Sequence, residues 1–347
     1  MRLSRALTAA VALTLTLTLG SCATGPREGA KNNANSNNSG SAPTDSFPVD
    51  IDHALGTTTV KKAPQRIVTV GWSDHDVVAA LGQAPVGATK VTWGGNDKGS
   101  TPWFDAKLKE LGNPEVTRIA DADGVDTEAI AKLNPDLILG VNSGLKQEEF
   151  DKLTKIAPTI AYPKAPWATS WEEQLSIIGK ATGRSSAAKT LREQTDKRID
   201  EALARYPQIK GKSAAWVWFT PTDLSTIGIY TTTDARPHML RRFGMIDAPT
   251  VSELSNGPAF SATISAEKAH TVESDVTLFY ADDEQLKTLQ AHPLISRLPA
   301  LAANRYFASA NNQEALPLSS PTPLSIPVAL DSFLPKLAQA VEGKPAR

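Results

Sequence analysis

Gly71-Trp72-Ser73-Asp74-His75 places a hydroxyl, two ionisable side chains and an indole within five residues, directly after a short apolar strand. It is close to the G-x-S-x-G turn that exposes a nucleophilic serine, but His75 stands where close strand–helix packing requires the second glycine. A hydrolase using Ser73 and His75 is therefore the weaker reading. Gly183-Arg184-Ser185-Ser186-Ala187-Ala188-Lys189-Thr190 is one residue short of a phosphate-binding loop, and a helical pattern precedes it instead of a strand. It reads as a helix restarting after a glycine. The histidines, His53, His75, His238, His270 and His292, form no H-x-H or H-x-x-x-H pair, so no metal site is expected. The remaining chemistry is that of recognition. Trp72, Trp93, Asn142, Trp167, Trp218, Tyr230 and Arg236 supply flat contact area, an amide and forked donors to oxygen.

The elements that must position these side chains alternate. Arg66–Val70, Pro85–Ala88, Asp136–Gly140 and Thr159–Tyr162 read as strands. Helical patterns at Asp74–Leu81, Trp103–Leu111, Asp126–Leu133 and Glu148–Ile156 stand between them. Such alternation implies a parallel sheet with helices on its faces. In open sheets of that kind ligands bind beyond the carboxyl ends of the strands. Trp72, Trp93, Asn142 and Trp167 all follow strands. Trp171–Ala181 is then a helix, and a second one runs from Ser185 to about Tyr206 with Ala188, Leu191, Thr195, Ile199 and Ala202 on one stripe. The strand pattern restarts at Ala214–Phe219, Ile227–Tyr230, Asp275–Tyr280 and Arg305–Ala308, with helices at Arg236–Phe243 and Ser325–Val341. The expected fold is two Rossmann-like α/β lobes, 49–168 and 208–347, joined through 169–207 by one long helix. Trp171 reads as core. Trp216 and Trp218 share a strand face, so at least one should serve packing only. Arg241 and Arg242 read as solvated helix charges.

Composition narrows the partners. The 36 basic and 37 acidic side chains leave a net charge of −1, which gives nucleic acid no electrostatic grip. The single cysteine excludes an intrachain disulfide. Arg2 and Arg5 precede an uncharged run from Ala6 to Leu19, shorter than the roughly 20 residues of a membrane span. This reads as an export signal over 1–21. Leu19-Gly20-Ser21-Cys22 resembles the bacterial lipobox, so Cys22 is the expected point of lipid attachment and the outer face of the cell membrane the expected location. Residues 22–48, rich in Asn and Ser, then form a tether too polar to offset its ordering entropy by burial.

Pro64-Gln65-Arg66-Ile67-Val68, Ala80-Leu81-Gly82-x-x-Pro85-Val86-Gly87 and Glu128-Ala129-Ile130-Ala131-x-Leu133-x-Pro135-Asp136-Leu137-Ile138-Leu139 occur in this order along the chain. With Leu298-Pro299-Ala300-Leu301-x-x-x-Arg305-Tyr306, they resemble the helical-hinge (class III) substrate-binding proteins of ABC importers. Trp93-Gly94-Gly95 and Thr101-Pro102-Trp103-Phe104-Asp105 are similar to the iron-siderophore lipoproteins of actinobacteria. The resemblance implies a monomeric receptor without enzymatic activity or cofactor. It would hold a ferric siderophore, or alternatively haem or cobalamin, in the cleft between lobes and deliver it to a permease dimer. Iron would arrive already chelated. The resemblance further implies that one glutamate on each lobe docks on the permease. These are Glu128 and Glu267, each standing eight residues before the aspartate that opens a strand, Asp136 or Asp275. Ser274 replaces the proline of the first copy.

Overall fold

The computed structural model describes residues 43–347. The export signal, Cys22 and the tether as far as residue 42 lie outside the described residues. A hairpin of Val49–His53 (β1) and Gly56–Val60 (β2) opens the fold. The first sheet follows, built from Ile67–Thr69 (β3), Gly87–Thr89 (β4), Thr117–Ile119 (β5), Leu137–Leu139 (β6) and Thr159–Ile160 (β7). Its order is β5-β4-β3-β6-β7 and every pairing is parallel. The central strands β3 and β6 are buried throughout, as continuous apolar runs covered on both faces must be. The intervening helices are Asp74–Ala80 (α1), Pro102–Glu110 (α2), Thr127–Lys132 (α3) and Gln147–Leu153 (α4). Thr101 caps α2 ahead of Pro102, and Asp126 caps α3 by accepting from Ala129 N at 2.9 Å.

Trp171–Ala181 (α5) and Ser185–Leu203 (α6) carry the chain to the second sheet. At 1.5 Å per residue the 19 residues of α6 span about 28 Å. The second half contains Ser213–Thr220 (β8), Asp223–Tyr230 (β9), Ala235–Arg242 (α7), Ile246–Asp247 (β10), Pro249–Leu254 (α8) and Ser261–Ser265 (β11). It continues with Val276–Tyr280 (β12), Asp283–Ala291 (α9), Pro299–Ala302 (α10), Tyr306–Ser309 (β13), Asn312–Ser319 (α11) and Ile326–Val341 (α12). The sheet order is β11-β9-β8-β12-β13, with β10 beside β8. It is mixed: β9 and β11 run antiparallel, whereas β12 and β13 pair in parallel. The second lobe is therefore a less regular doubly wound sheet than alternation alone suggests.

One apolar cluster runs through both halves. It joins Ile67 and Leu137 of the first sheet, Trp171 and Ile199 of the two linking helices, and Trp216 and Phe333 of the second half. Trp171 is thus core, and Trp216 stacks on Phe333 at 5.5 Å. Opening the halves widely would expose this packing, so the linking region resists large hinge motion.

Three local findings differ from the reading of the sequence. Residues 43–48 belong to the folded body. Thr44 and Asp45 donate backbone N–H bonds to Gly183 O, and the Asp45 carboxylate accepts from Ser185 N at 3.0 Å. That bond caps α6 from a segment 140 residues earlier, and the Ser185 side chain, with this backbone bond, holds the Asp45 carboxyl below its usual range. Arg241 and Arg242 are paired, not merely solvated. Arg241 forks onto Asp247 at 3.0 Å, and Arg242 reaches Asp196 and Asp200 of α6 at 3.1 and 2.8 Å. The repeated aspartate also has a structural cause. Asp136 accepts from Gln65 N and Arg66 N, both at 2.8 Å, and Asp275 accepts from Ser213 N at 2.9 Å. Each carboxylate satisfies backbone donors at the start of the neighbouring strand, in the same place in each sheet.

Candidate functional site

The carboxyl ends of β3, β5 and β6 in the first sheet, and the end of β9 with the residue before β11 in the second, border a cavity of about 340 Å³. Trp72, Asp121, Asn142 and Trp167 line it from the first half; Tyr230, Asp234, Ala235, Arg236, Phe260 and Ser319 line it from the second. Five of the seven residues singled out from sequence meet here: Trp72, Asn142, Trp167, Tyr230 and Arg236. Trp93 and Trp218 do not line this cavity but pack on aromatic rings close to it. Trp93 lies 6.2 Å from the Trp72 ring and 5.5 Å from Tyr280, edge to face with the latter. Trp218 faces Gly228 across the β8–β9 pair and packs on Tyr230 at 4.7 Å. A Cβ on Gly228 would stand 1.9 Å from the indole, so only glycine lets the ring lie flat there.

The first wall is set by α1 and the loop after β6. Asp74 is fully buried, and its carboxylate accepts from Val141 N at 2.7 Å, Asn142 N at 3.1 Å and Gln174 Nε2 at 2.6 Å. Gly71 makes room for it, since a Cβ there would meet Asp74 Oδ2 at 2.1 Å. Asn142 donates to Ser73 Oγ at 3.0 Å and stands 3.5 Å from Ser320 Oγ of the second half. Trp167 is 41% exposed, at a φ of 61°, with its indole against Gly144. A bulky side chain in the left-handed region at a cleft edge is a locally strained placement, of order 1–3 kcal/mol.

The second wall is built around one guanidinium. Asp234 caps α7 by accepting from Arg236 N at 2.8 Å. Arg236 Nη1 returns bonds to both Asp234 oxygens at 3.0 and 2.9 Å, and Nε donates to Tyr280 Oη at 2.8 Å. The guanidinium also lies 4.0 Å from the Tyr230 ring centre. Burial raises the Asp234 carboxyl, against the opposing pull of Arg236, and raises the Tyr230 hydroxyl so that it stays protonated.

Ser73 and His75 do not form a catalytic pair. Ser73 Oγ accepts from Gln174 Nε2 and Asn142 Nδ2, each at 3.0 Å, whereas His75 faces Phe104 at 4.7 Å. Among the described residues no group of three or more His, Cys, Asp or Glu side chains could hold a metal ion.

His75 instead belongs to a buried cluster that couples the halves. Asp76 Oδ2 accepts from Trp103 Nε1 at 2.6 Å and from Thr322 Oγ1, between α11 and α12, at 2.9 Å. Asp76 Oδ1 lies 3.4 Å from His75 Nε2, and neither atom has another partner among the described residues. Burial pushes Asp76 up to about 7 and His75 down to about 3, with Arg118 nearby disfavouring the imidazolium. Below about pH 7 the pair is therefore a neutral acid facing a neutral imidazole. Because the folded state keeps the Asp76 proton between about pH 4 and 7 while the unfolded chain releases it, this group's contribution falls as pH rises through that window. Asp76→Asn removes the titration and keeps a donor toward His75. Between pH 5 and 8 the wild type should lose about 2–3 kcal/mol relative to Asp76→Asn. Urea unfolding at both pH values measures this; parallel pH profiles would contradict it.

Glu128, in the first turn of α3, and Glu267, in the first turn of the 3₁₀ helix Ala266–Thr271, are both exposed. Neither side chain has an ion pair or hydrogen bond among the described residues. Sequence reasoning missed Asp121, Asp234, Phe260 and Ser319 in the cavity wall. Asp121 follows β5, an unrecognised strand, and the strand-end rule would have found it. Asp234 was signalled by its place just before a helix, where aspartate caps.

Two α/β sheets carried on a shared helical core, with a cleft at their strand ends, define a two-lobed binding protein of the class III type. The chain belongs to the periplasmic binding protein family, whose profile matches residues 67–311. It is 36% identical to PiaA of Streptococcus pneumoniae TIGR4, solved in complex with ferrichrome, with a TM-score of 0.81 over 85% of this chain and 99% of that one. It is 29% identical over 188 residues to the probable siderophore-binding lipoprotein YfiY of Bacillus subtilis, a match spanning about half of each chain, 54%. It is 25% identical over 279 residues to the ferric enterobactin-binding periplasmic protein FepB of Escherichia coli, over 76% of this chain and 84% of that one.

Proposed function

We propose that this protein is the extracytoplasmic receptor of an ABC importer and carries a ferric siderophore between its lobes. The observation that carries this reading is the composition of the cleft. Trp72, Trp167, Tyr230 and Phe260 offer apolar planes, and Asn142 and Arg236 offer donors to oxygen. A chelated iron complex presents an apolar periphery studded with oxygen atoms and needs no protein ligand to its metal. The ferrichrome complex of the similar PiaA supports the same reading. Glu128 and Glu267, exposed at equivalent places on the two lobes, are the proposed contacts to the two permease subunits. Cys22 is the proposed lipid attachment site holding the receptor at the membrane surface. Gel filtration of the purified protein with excess ferrichrome tests the binding claim. Iron should co-elute with protein near one equivalent; iron eluting wholly with the small molecules would overturn it.

A further inference from the structure

The matched relatives do not fix the charge of the cargo, because ferrichrome is an uncharged trishydroxamate complex and ferric enterobactin a trianionic triscatecholate. The cleft itself does distinguish them. Its charged lining is Asp121, Asp234 and Arg236, two acids against one base. Arg236 is the only cation lining this cavity among the described residues, and its charge is already balanced. Both Nη1 bonds go to Asp234 and Nε serves Tyr280. The guanidinium can still direct Nη2 at a carbonyl or hydroxamate oxygen, but no uncompensated positive charge remains. Asp121 has no ion-pair partner among the described residues. The adjoining recess beneath Trp167 adds Asp126 and Glu149 and no basic side chain. On the opposite side Lys164 stands 3.4 Å from Glu173, and His238 3.1 Å from Glu172, so each basic group there is matched by a carboxylate.

We infer that the cleft selects ferric complexes with no net negative charge, trishydroxamates that are neutral or carry a pendant cation, and rejects polyanionic catecholate and carboxylate complexes. The inference rests on the importer reading above and adds the chemical class of its ligand. A polyanion entering this site would lose hydration against a wall that is itself net negative, and like-charge juxtaposition across a dehydrated contact is strongly unfavourable. A neutral hydroxamate shell instead meets indole and phenol faces with hydrogen-bond donors between them. Asp121, at the exposed rim, favours a complex bearing an ammonium group.

Quenching of intrinsic tryptophan fluorescence in the purified protein tests this with four probes: ferrichrome, ferrioxamine B, ferric enterobactin and ferric citrate. Ferrichrome and ferrioxamine B should saturate the signal, with ferric enterobactin and ferric citrate at least about 100-fold weaker. Asp121→Lys should shift the ratio of ferrioxamine B to ferric enterobactin affinity by at least about 10-fold toward the anion. Ferric enterobactin or ferric citrate binding as tightly as the hydroxamates would overturn the inference while leaving the importer reading intact. An unchanged ratio in Asp121→Lys would also overturn it. Failure of all four probes would remove the ferric-siderophore reading and this inference with it.

Discussion

Arg236→Ala should lose both stability and ligand. The guanidinium holds Asp234 through two bonds, Tyr280 through a third and the face of Tyr230 by stacking. Asp234 is only 4% exposed, so removing its partner strands a buried carboxylate. Breaking a buried pair in this way costs about 3–5 kcal/mol. The ligand-facing donor disappears as well, and the Tyr230 ring loses the cation beneath it. The dissociation constant for ferrichrome should rise at least about 100-fold, equivalent to about 3 kcal/mol. Asp234→Asn combined with Arg236→Gln separates the two effects. It removes both charges together, so it should recover most of the stability but little of the affinity. Thermal unfolding and fluorescence titration of the three proteins measure this. Full affinity in a folded Arg236→Ala protein would show that the second wall does not touch ligand.

The second large effect concerns delivery. Reversing both exposed glutamates, Glu128→Arg with Glu267→Arg, should reduce siderophore-dependent iron uptake by cells at least about 10-fold while leaving the ferrichrome dissociation constant within about twofold. Close charge pairs across protein interfaces couple by about 1.5–7 kcal/mol, so two reversed pairs are enough to prevent docking. Both side chains lie outside the cavity wall and have no partner among the described residues, so folding and binding have no reason to change. A loss of ligand affinity that matches the loss of uptake, or uptake at the wild-type rate, would refute the docking role.

Much of this architecture was legible because burial imposes simple patterns. The apolar runs at Ile67–Thr69 and Leu137–Leu139 belong to strands covered on both faces, and Trp171–Ala181 and the long α6 have apolar stripes of helical period. Where the protein departs from such patterns the sequence was silent. Thr117–Ile119 is an edge strand with two polar residues of three, and without it Asp121 has no assigned place at the cleft. The Ser261–Ser265 strand is also an edge strand with little apolar content, so Phe260, just before it, was missed. The hairpin Val49–His53 with Gly56–Val60 was hidden by the polar stretch preceding it.

The site residues followed the same division. Loop residues directly after recognised strands, Trp72 and Asn142, reached the cavity. Trp218 was drawn toward the cleft by its strand face, but the neighbouring Gly228 leaves a flat seat that the indole fills, behind Tyr230. Trp93 likewise supports Trp72 and Tyr280. Which of several aromatic side chains is outermost depends on tertiary contacts between strands far apart in sequence, and no local period encodes that. The Glu–Asp spacing was visible, whereas its cause was not. Asp136 and Asp275 each complete the start of a strand more than sixty residues earlier.

A crystal structure of the protein grown with ferrichrome addresses the core of this account. The iron complex should lie between Trp72 and Trp167 on one side and Tyr230 and Arg236 on the other, with siderophore oxygens alone coordinating the metal. Ligand seated on another face, or iron bound directly by a protein side chain, would contradict it.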